Sequence, residues 1–291
     1  MNPLTRAVLS LAAAAALGPV ASGATLLLRY SFDEASSGAA PALDSGSMPA
    51  APGTFVGPVT RTSNTPAGFS LGALDLTAPE APDHVSAGDI EKLDGLTQLT
   101  LTAWINLRGA PVNGNRIMAK QLTSGNFDGF SFAFSTPTTG TISADAFQLN
   151  LALGGAAFAF NTSGADLSAN DQWVFVAVSY DGTLSSDNVK FYRGDTTSSV
   201  AQFGLTRTAA VGTLTPNSNE FRVGASSGGT GNSPPDYLDD VRVYDGVLSD
   251  AELESVRASN IPEPSTTALL LGALLLTSHR AARRHVASRE A

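Results

Sequence analysis

The chain has no cysteine among its 291 residues and only three histidines. Without cysteine, disulfide bonds, thiol catalysis and thiolate metal sites are all excluded. His279 and His285 lie close to the C-terminus, so His84 alone remains for the main part of the chain. Because one histidine cannot build a histidine-based zinc site, bound zinc is not expected, and stability must come from a packed core.

Charged residues are also scarce, at 15% of the chain, and acidic residues outnumber basic ones by 26 to 17. Five of the basic residues but only two of the acidic ones lie in the terminal segments, so the middle of the chain is the most acidic part. An acidic surface argues against nucleic acid and anionic membranes as partners. It is compatible with binding of divalent cations.

The N-terminus has the pattern of an export signal. Arg6 precedes an alanine-rich apolar run, Gly18-Pro19 breaks that run, and Ser22-Gly23-Ala24 offers small residues for cleavage. The run is too short for a membrane anchor, so we predict a secretory signal peptide over residues 1–24, with a signal helix that is removed on export.

The C-terminus carries a second short apolar segment, residues 265–277, between Pro262-Glu263-Pro264 and the basic residues Arg280, Arg283 and Arg284. It is shorter than the roughly 20 residues of a settled spanning helix, and the arginines favour a cytoplasmic C-terminus. A buried helix of a folded domain is the alternative, but it would show polar residues at helical spacing.

This order of motifs resembles the PEP-CTERM sorting signal, here over residues 261–286. The resemblance implies a single hydrophobic helix, a transient inner-membrane stage and processing by a sorting protease of the exosortase type. It also implies a Gram-negative source and a final location at the cell surface or in the extracellular matrix.

Residues 25–260 have the length of one domain and the pattern of a β protein. Apolar residues alternate with polar ones or form short runs, and Gly, Ser, Thr, Asn and Pro clusters separate the runs. Residues 173–180 are apolar on both faces, which predicts a strand covered on both sides. The strands that we predict lie at residues 98–105, 130–134, 147–153, 173–180, 189–192, 221–223 and 241–244.

One helix is predicted after these strands. Ser249-Asp250-Ala251-Glu252 has the spacing of a capping box, and Leu253 and Val256 form a short apolar stripe. We expect this helix to end near Ser259 and to close one edge of a sandwich.

Four segments in order resemble a laminin-G-like, concanavalin A-like jelly roll, and together they span most of the exported region. The resemblance implies an all-β, two-sheet antiparallel sandwich over residues 25–260, a scaffold shared by lectins, adhesion modules and some glycoside hydrolases. The segments are Tyr30–Glu34 with Asp44-Ser45-Gly46, Leu99–Ile105, Gln172–Gly182 with Phe191–Gly194, and Tyr237–Tyr244 with Leu248–Leu253.

The same resemblance implies a calcium ion near the rim of the sandwich, bound between the N-terminal and C-terminal strands. The matching carboxylates are Asp33 and Asp44 at the start and Asp239 or Asp240 near the end. Such an ion would be structural and would take the place of a disulfide. The alternative is that Asp44-Ser45-Gly46 is only a turn and that Asp239-Asp240 is a solvated strand edge.

Catalysis is not expected. The Glu-x-Asp-x-x-Glu strand motif of jelly-roll glycosidases is missing, and Asp239 and Asp240 as strand neighbours would point to opposite faces. Gly224-Ala225-Ser226-Ser227-Gly228 matches the nucleophile-elbow pattern, but the glycine- and proline-rich residues after it cannot form the helix that an elbow needs.

Ligand binding is the open question. Loop residues of the types that hold sugars are Asn115, Phe127, Asp128, Asn232, Asp236 and Tyr237. We predict a noncatalytic, surface-displayed module that binds carbohydrate or an extracellular matrix polymer. The alternatives are a structural coat component without a discrete ligand and a glycoside hydrolase.

Overall fold

The computed structural model describes residues 23–34, 40–66, 71–76, 83–109, 114–122, 128–135, 146–162, 171–228, 233–234 and 236–259. Most of the predicted signal peptide, the whole sorting segment, Phe127 and Asn232 lie outside these ranges, so the predictions made for them remain predictions.

Within those ranges, no helix is long and apolar enough to cross a membrane.

The described residues form fifteen strands, one turn of 3-10 helix at Glu91–Leu93 and one α-helix, α1, at Asp250–Ala258. The strands are β1 Thr25–Tyr30, β2 Thr54–Val56, β3 Thr60–Thr62, β4 Ala73–Asp75, β5 His84–Asp89, β6 Gln98–Leu107, β7 Arg116–Lys120, β8 Phe130–Ser135, β9 Ala146–Leu153, β10 Ala156–Asn161, β11 Trp173–Asp181, β12 Val189–Asp195, β13 Ala201–Gln202, β14 Glu220–Val223 and β15 Asp236–Asp245.

The strands form two antiparallel sheets. The larger sheet has the order β13-β12-β11-β6-β15-β4-β3, with β1 also paired to β15, and the smaller sheet has the order β10-β9-β8-β7-β14-β5-β2. One face of each sheet packs on a shared core, to which β6 contributes Leu99, Leu101 and Ile105. The all-β, two-sheet antiparallel sandwich predicted from the sequence is therefore confirmed.

Strand β11 is covered on both faces, as its apolar run predicts. Val174 and Val176 belong to the core between the sheets. Trp173 and Phe175 belong to a second apolar cluster on the outer face of the larger sheet. Period-two alternation places neighbouring residues on opposite faces, so a strand with apolar residues on both faces needs a second cover.

That second cover is α1, which begins with the predicted capping box. The Ser249 hydroxyl accepts a hydrogen bond from the Glu252 amide, and the Glu252 carboxylate accepts one from the Ser249 amide. Leu253 and Val256 pack in the outer cluster with aromatic residues of β6, β11 and β12. The helix therefore covers the outer face of the larger sheet, and the expectation that it closes an edge was wrong.

Candidate functional site

The first and last strands of the larger sheet are joined by an ion-pair cluster around Asp240. Arg29 Nε lies 2.7 Å from Asp240 Oδ1, and Arg242 Nη2 lies 2.6 Å from Oδ2. Asp240 has a left-handed backbone with φ 46°, and a bulge lies between Asp239 and Arg242. This bulge breaks the strict alternation that the sequence predicts for Asp239 and Asp240.

Both aspartates are buried, so they are not a solvated strand edge. Burial alone would lower the pKa of Arg242, but the adjacent Asp240 carboxylate raises it, and the guanidinium stays charged. The Asp239 carboxylate accepts a hydrogen bond from the Asp240 amide at 2.7 Å.

Asp44 is the centre of a second cluster. Its Oδ1 accepts hydrogen bonds from the Arg29 and Gly46 amides at 3.0 and 2.8 Å. Its Oδ2 accepts from the Ala51 amide at 3.0 Å and from Lys92 Nζ at 2.7 Å. Each oxygen of the Asp44 carboxylate therefore accepts two hydrogen bonds, and the four donors are three backbone amides and the Lys92 ammonium group.

The predicted calcium ligands thus have partners from the chain itself. Asp33 Oδ1 accepts from the Leu71 amide at 2.6 Å, while Asp44 and Asp240 face the cations described above. Among the described residues, no three His, Asp or Glu side chains are grouped as a metal site requires. The contact predicted between the chain ends is present, but it is made by arginine, and calcium binding at these carboxylates remains a prediction.

Of the predicted sugar-binding residues, Asn115 and Asp236 lie at one end of the sandwich. Asn115 Nδ2 donates to the Ser233 carbonyl at 3.0 Å, and the Asp236 amide donates to the Pro234 carbonyl at 3.0 Å. The Asp236 carboxyl is fully buried, and within the described chain neither of its oxygens has a hydrogen-bond partner. Burial raises the pKa of this carboxyl well above its usual value, because the charged form would lose its hydration.

Asp128 does not lie at that end, and Tyr237, which follows Asp236 in β15, packs against the outer apolar cluster instead. Asp128 precedes β8 and accepts from Asn219 through its carbonyl, at the opposite end of the β7–β8 pair from Asn115. Tyr237 stacks on Trp173 with ring centres 6.4 Å apart, and the Arg108 guanidinium lies 5.3 Å from its ring centre. The four predicted residues that the structure describes therefore do not form one pocket.

A better candidate site is the outer face of the smaller sheet, which sequence reasoning missed. Arg222 of β14, Ala119 of β7, Ser131 of β8 and Asn150 of β9 are successive partners across four strands. Three strand intervals of about 4.8 Å place the ends of this row roughly 14 Å apart. Ser131 is buried at the middle, whereas Arg222 and Asn150 are partly exposed.

One accessible end of this row is a group of three amides that we call the amide shelf: Gln148 and Asn150 on β9 and Asn161 on β10. Gln148 Nε2 donates to Asn161 Oδ1 at 2.8 Å, and Asn150 Nδ2 donates to the Ser131 hydroxyl at 2.9 Å. Among the described residues, the side-chain carbonyls of Gln148 and Asn150 and the side-chain amino group of Asn161 have no partner. The shelf therefore offers two acceptors and one donor on side chains whose other ends are fixed.

The other accessible end is the Arg222 cluster, made of Ser86 on β5 with Glu220 and Arg222 on β14. Glu220 accepts hydrogen bonds from both the Ser86 hydroxyl and the Arg222 guanidinium, and Arg222 Nη1 also donates to the Ser226 carbonyl at 2.9 Å. Burial would raise the pKa of Glu220, but the bonds from Arg222 and Ser86 outweigh it, so its pKa lies below the usual value. This end is ionic, whereas the amide shelf is neutral.

A signal for the shelf was present in the sequence. Gln148 and Asn150 alternate with Phe147, Leu149 and Leu151, which face the core. That alternation predicts polar residues on the outer face, but it does not show which strands lie beside them. Strand β10, which supplies Asn161, follows Gly154 and Gly155, which have positive φ at the hairpin turn.

Comparison with known proteins identifies the fold independently. Residues 80–254 match the family model described as the concanavalin A-like lectin/glucanases superfamily, of laminin G type. None of the curated proteins that were compared matches the chain.

Solved structures share the architecture at low sequence identity. Domain 4 of AbnA, a GH43 extracellular arabinanase from Geobacillus stearothermophilus, solved with arabinotriose, is 18% identical with a TM-score of 0.53, over 80% of this chain and 98% of that one. The botulinum neurotoxin serotype D ligand-binding domain, solved with N-acetylneuraminic acid, is 10% identical with a TM-score of 0.52, over 82% of this chain and 52% of that one. The serotype G binding domain is 9% identical with a TM-score of 0.53, over 79% and 50%. This chain thus spans about half of each toxin domain, and at these identities the likeness shows the fold alone.

Proposed function

The chain belongs to the concanavalin A-like lectin/glucanases superfamily, and from this premise we propose that it is a noncatalytic carbohydrate-binding module. The observation that carries the proposal is the amide shelf of Gln148, Asn150 and Asn161, which keeps unused acceptors and a donor on a fixed sheet face. The arabinanase domain and the serotype D toxin domain, whose structures contain sugars, support it at the level of the superfamily.

Neutral polysaccharide is the ligand class that best suits the shelf. Sugar hydroxyls both donate and accept hydrogen bonds, and side-chain amides offer both functions without a charge that must be compensated. The outer face of the larger sheet is less suitable, because α1 and an aromatic cluster cover it. The Arg222 cluster, roughly 14 Å along the row, would contact a second part of a polymer rather than the same sugar unit.

The proposed location is the cell surface or the extracellular matrix. Two sequence features support it: the signal-peptide pattern of residues 1–24 and the Pro262-Glu263-Pro264 segment with Arg280, Arg283 and Arg284. We propose that an exosortase-type protease processes the C-terminal segment after a transient inner-membrane stage. Expression in a Gram-negative host with and without such a protease, followed by mass spectrometry of the C-terminus, tests this part.

Calorimetric titration with neutral polysaccharides tests the binding function. The double variant Gln148→Ala/Asn150→Ala removes both free acceptors, and we expect at least tenfold weaker binding, which corresponds to about 1.4 kcal/mol. Gln202→Ala is the matched control, because Gln202 is an exposed amide on the larger sheet.

Other outcomes distinguish the alternatives. Self-association without saturable sugar binding would favour the structural coat component. Release of reducing ends from a bound polysaccharide would identify a glycoside hydrolase and contradict the noncatalytic proposal.

A further inference from the structure

A groove with a volume of about 960 Å³ opens at the edge of the smaller sheet that holds β2 and β5. One wall is the loop of residues 49–52, and the other is formed by Ala87 and residues 89–92. The amide shelf lies on β9 and β10 at the opposite edge of the same sheet, so the groove is a separate region.

The loop wall of this groove is held in place by buried polar contacts. Lys92 Nζ donates to Asp44 at 2.7 Å, to the Ser47 carbonyl at 2.6 Å and to the Pro49 carbonyl at 2.8 Å. The Tyr30 hydroxyl donates to the Ala51 carbonyl at 2.5 Å. A wall fixed in this way loses little conformational entropy when a ligand enters.

The groove has apolar sides and an anionic rim. Pro49, Ala51 and Pro52 line one side, and Ala87 and Ile90 line the other. The lining also includes the carboxylates of Asp89 and Glu91. Lys92 is the one cation of the lining, and all three of its N–H groups already have acceptors on the protein.

Both rim carboxylates retain binding capacity. Asp89 uses Oδ1 for Lys120 at 2.8 Å, and its side chain is 42% exposed. Glu91 is exposed, and the described part of the chain supplies its carboxylate with no partner. The rim therefore carries negative charge that the groove itself does not neutralise.

From this arrangement we propose that the groove binds an alkylammonium group, as in a linear polyamine or a lysine side chain. The methylene stem would pack on the proline and alanine wall, and the ammonium group would lie between Asp89 and Glu91. A neutral sugar fits less well, because the walls offer few donors or acceptors for hydroxyl groups.

Calorimetric titration of the full chain with spermidine tests the proposal, and a lysine-containing peptide with its Nζ-acetylated form distinguishes the two sources of the group. We expect saturable one-site binding of spermidine that weakens as salt is added. Glu91→Gln should weaken it at least fivefold, and Ala50→Phe should block the groove without changing its charge. Acetylation of the lysine should abolish any binding of the peptide.

Asp245→Asn is the matched control, because Asp245 is an exposed carboxylate at the end of β15, outside the groove. Equal affinity of the Glu91→Gln and Asp245→Asn variants would show that spermidine acts only as a general counterion, and the proposal would be wrong. Absence of saturable binding to the unaltered chain would also overturn it. Neither result bears on neutral polysaccharide binding, which depends on Gln148 and Asn150.

Discussion

Replacing Asp240 by asparagine is the sharpest test of how the chain ends are held together. Asparagine keeps the size of the side chain and tolerates the left-handed backbone that Asp240 adopts at φ 46°. It removes the negative charge that lies 2.7 Å from Arg29 Nε and 2.6 Å from Arg242 Nη2. The backbone is therefore kept, and only the ion-pair cluster is lost.

The expected loss of unfolding free energy depends on how deeply the ion pair is buried. The Asp240 and Arg242 side chains are 1% and 8% exposed, whereas that of Arg29 is 29% exposed. Removing one partner of a buried ion pair costs about 3–5 kcal/mol, and we expect about 3 kcal/mol because Arg29 reaches water. For a domain of this size, 1 kcal/mol shifts the unfolding midpoint by about 2–4 °C, so Tm should fall by roughly 6–12 °C.

Urea denaturation and thermal unfolding of the same preparations measure the effect. Asp171→Asn is the matched control, because Asp171 also has a left-handed backbone, at φ 63°, and also pairs with an arginine, Arg108. That pair is exposed, at 39% for Arg108 and 66% for Asp171, so its loss should cost less than about 1 kcal/mol. A cost below about 1 kcal/mol for Asp240→Asn, or equal costs for the two variants, would refute the reasoning.

Three further predictions concern buried charge and the helix cap. Asp236→Asn should stabilise the protein relative to the unaltered chain, and increasingly so as pH rises above about 4. Burial raises the folded-state pKa of Asp236, so the unfolded chain loses this proton first and the stability of the unaltered chain falls as pH rises. A difference in unfolding free energy between the two proteins that does not change with pH, measured by urea unfolding, would contradict this. Lys120→Met should lower the unfolding free energy by about 2 kcal/mol, because the buried ammonium group binds Asp89, Asp94 and a carbonyl oxygen. An unchanged unfolding free energy in urea denaturation would contradict this and show that the site repacks. Ser249→Ala should cost about 1 kcal/mol through loss of the capping box, with a lower urea midpoint, while Ser249→Asp should retain most of the stability.

The fold was largely predictable from the sequence, because its long strands carry strong patterns. Strand β11 carries apolar residues on both faces, and β9 alternates with large residues facing inwards, so both were identified. The capping box of Ser249 and Glu252 also fixed the start of α1. Strands β1 to β5, β7, β10 and β13 were not among the predicted strands. Of these, β2, β3, β4 and β13 have only two or three residues, and β5 and β7 pair with β14, which lies far along the chain.

The candidate site was not predictable to the same degree. Contact between the chain ends was expected through calcium. Instead, Arg29 pairs with Asp240 and Lys92 pairs with Asp44, and both cations lie far from their partners in sequence. The bulge at Asp240 likewise depends on tertiary packing and breaks the two-residue period. The amide shelf requires the register of β9 with β10, which places Asn161 beside Gln148. The Gly154-Gly155 hairpin turn sets that register locally, but β10 was not among the predicted strands.

A chelator measurement addresses the calcium prediction directly. If the predicted calcium ion binds near the carboxylates of Asp44 and Asp240, EDTA should lower Tm by several degrees, since a site filled at 100 times its Kd adds about 2.7 kcal/mol. If the amide and cationic donors that Asp44 and Asp240 already face are their only partners, EDTA should leave Tm unchanged.

The measurement that most directly tests the carbohydrate-binding account is titration of the protein with a panel of neutral and acidic polysaccharides. The account predicts saturable binding of at least one neutral polymer, at least tenfold weaker for Gln148→Ala/Asn150→Ala and unchanged for Gln202→Ala. Binding that the shelf variant retains in full, or no binding across the panel, would contradict it.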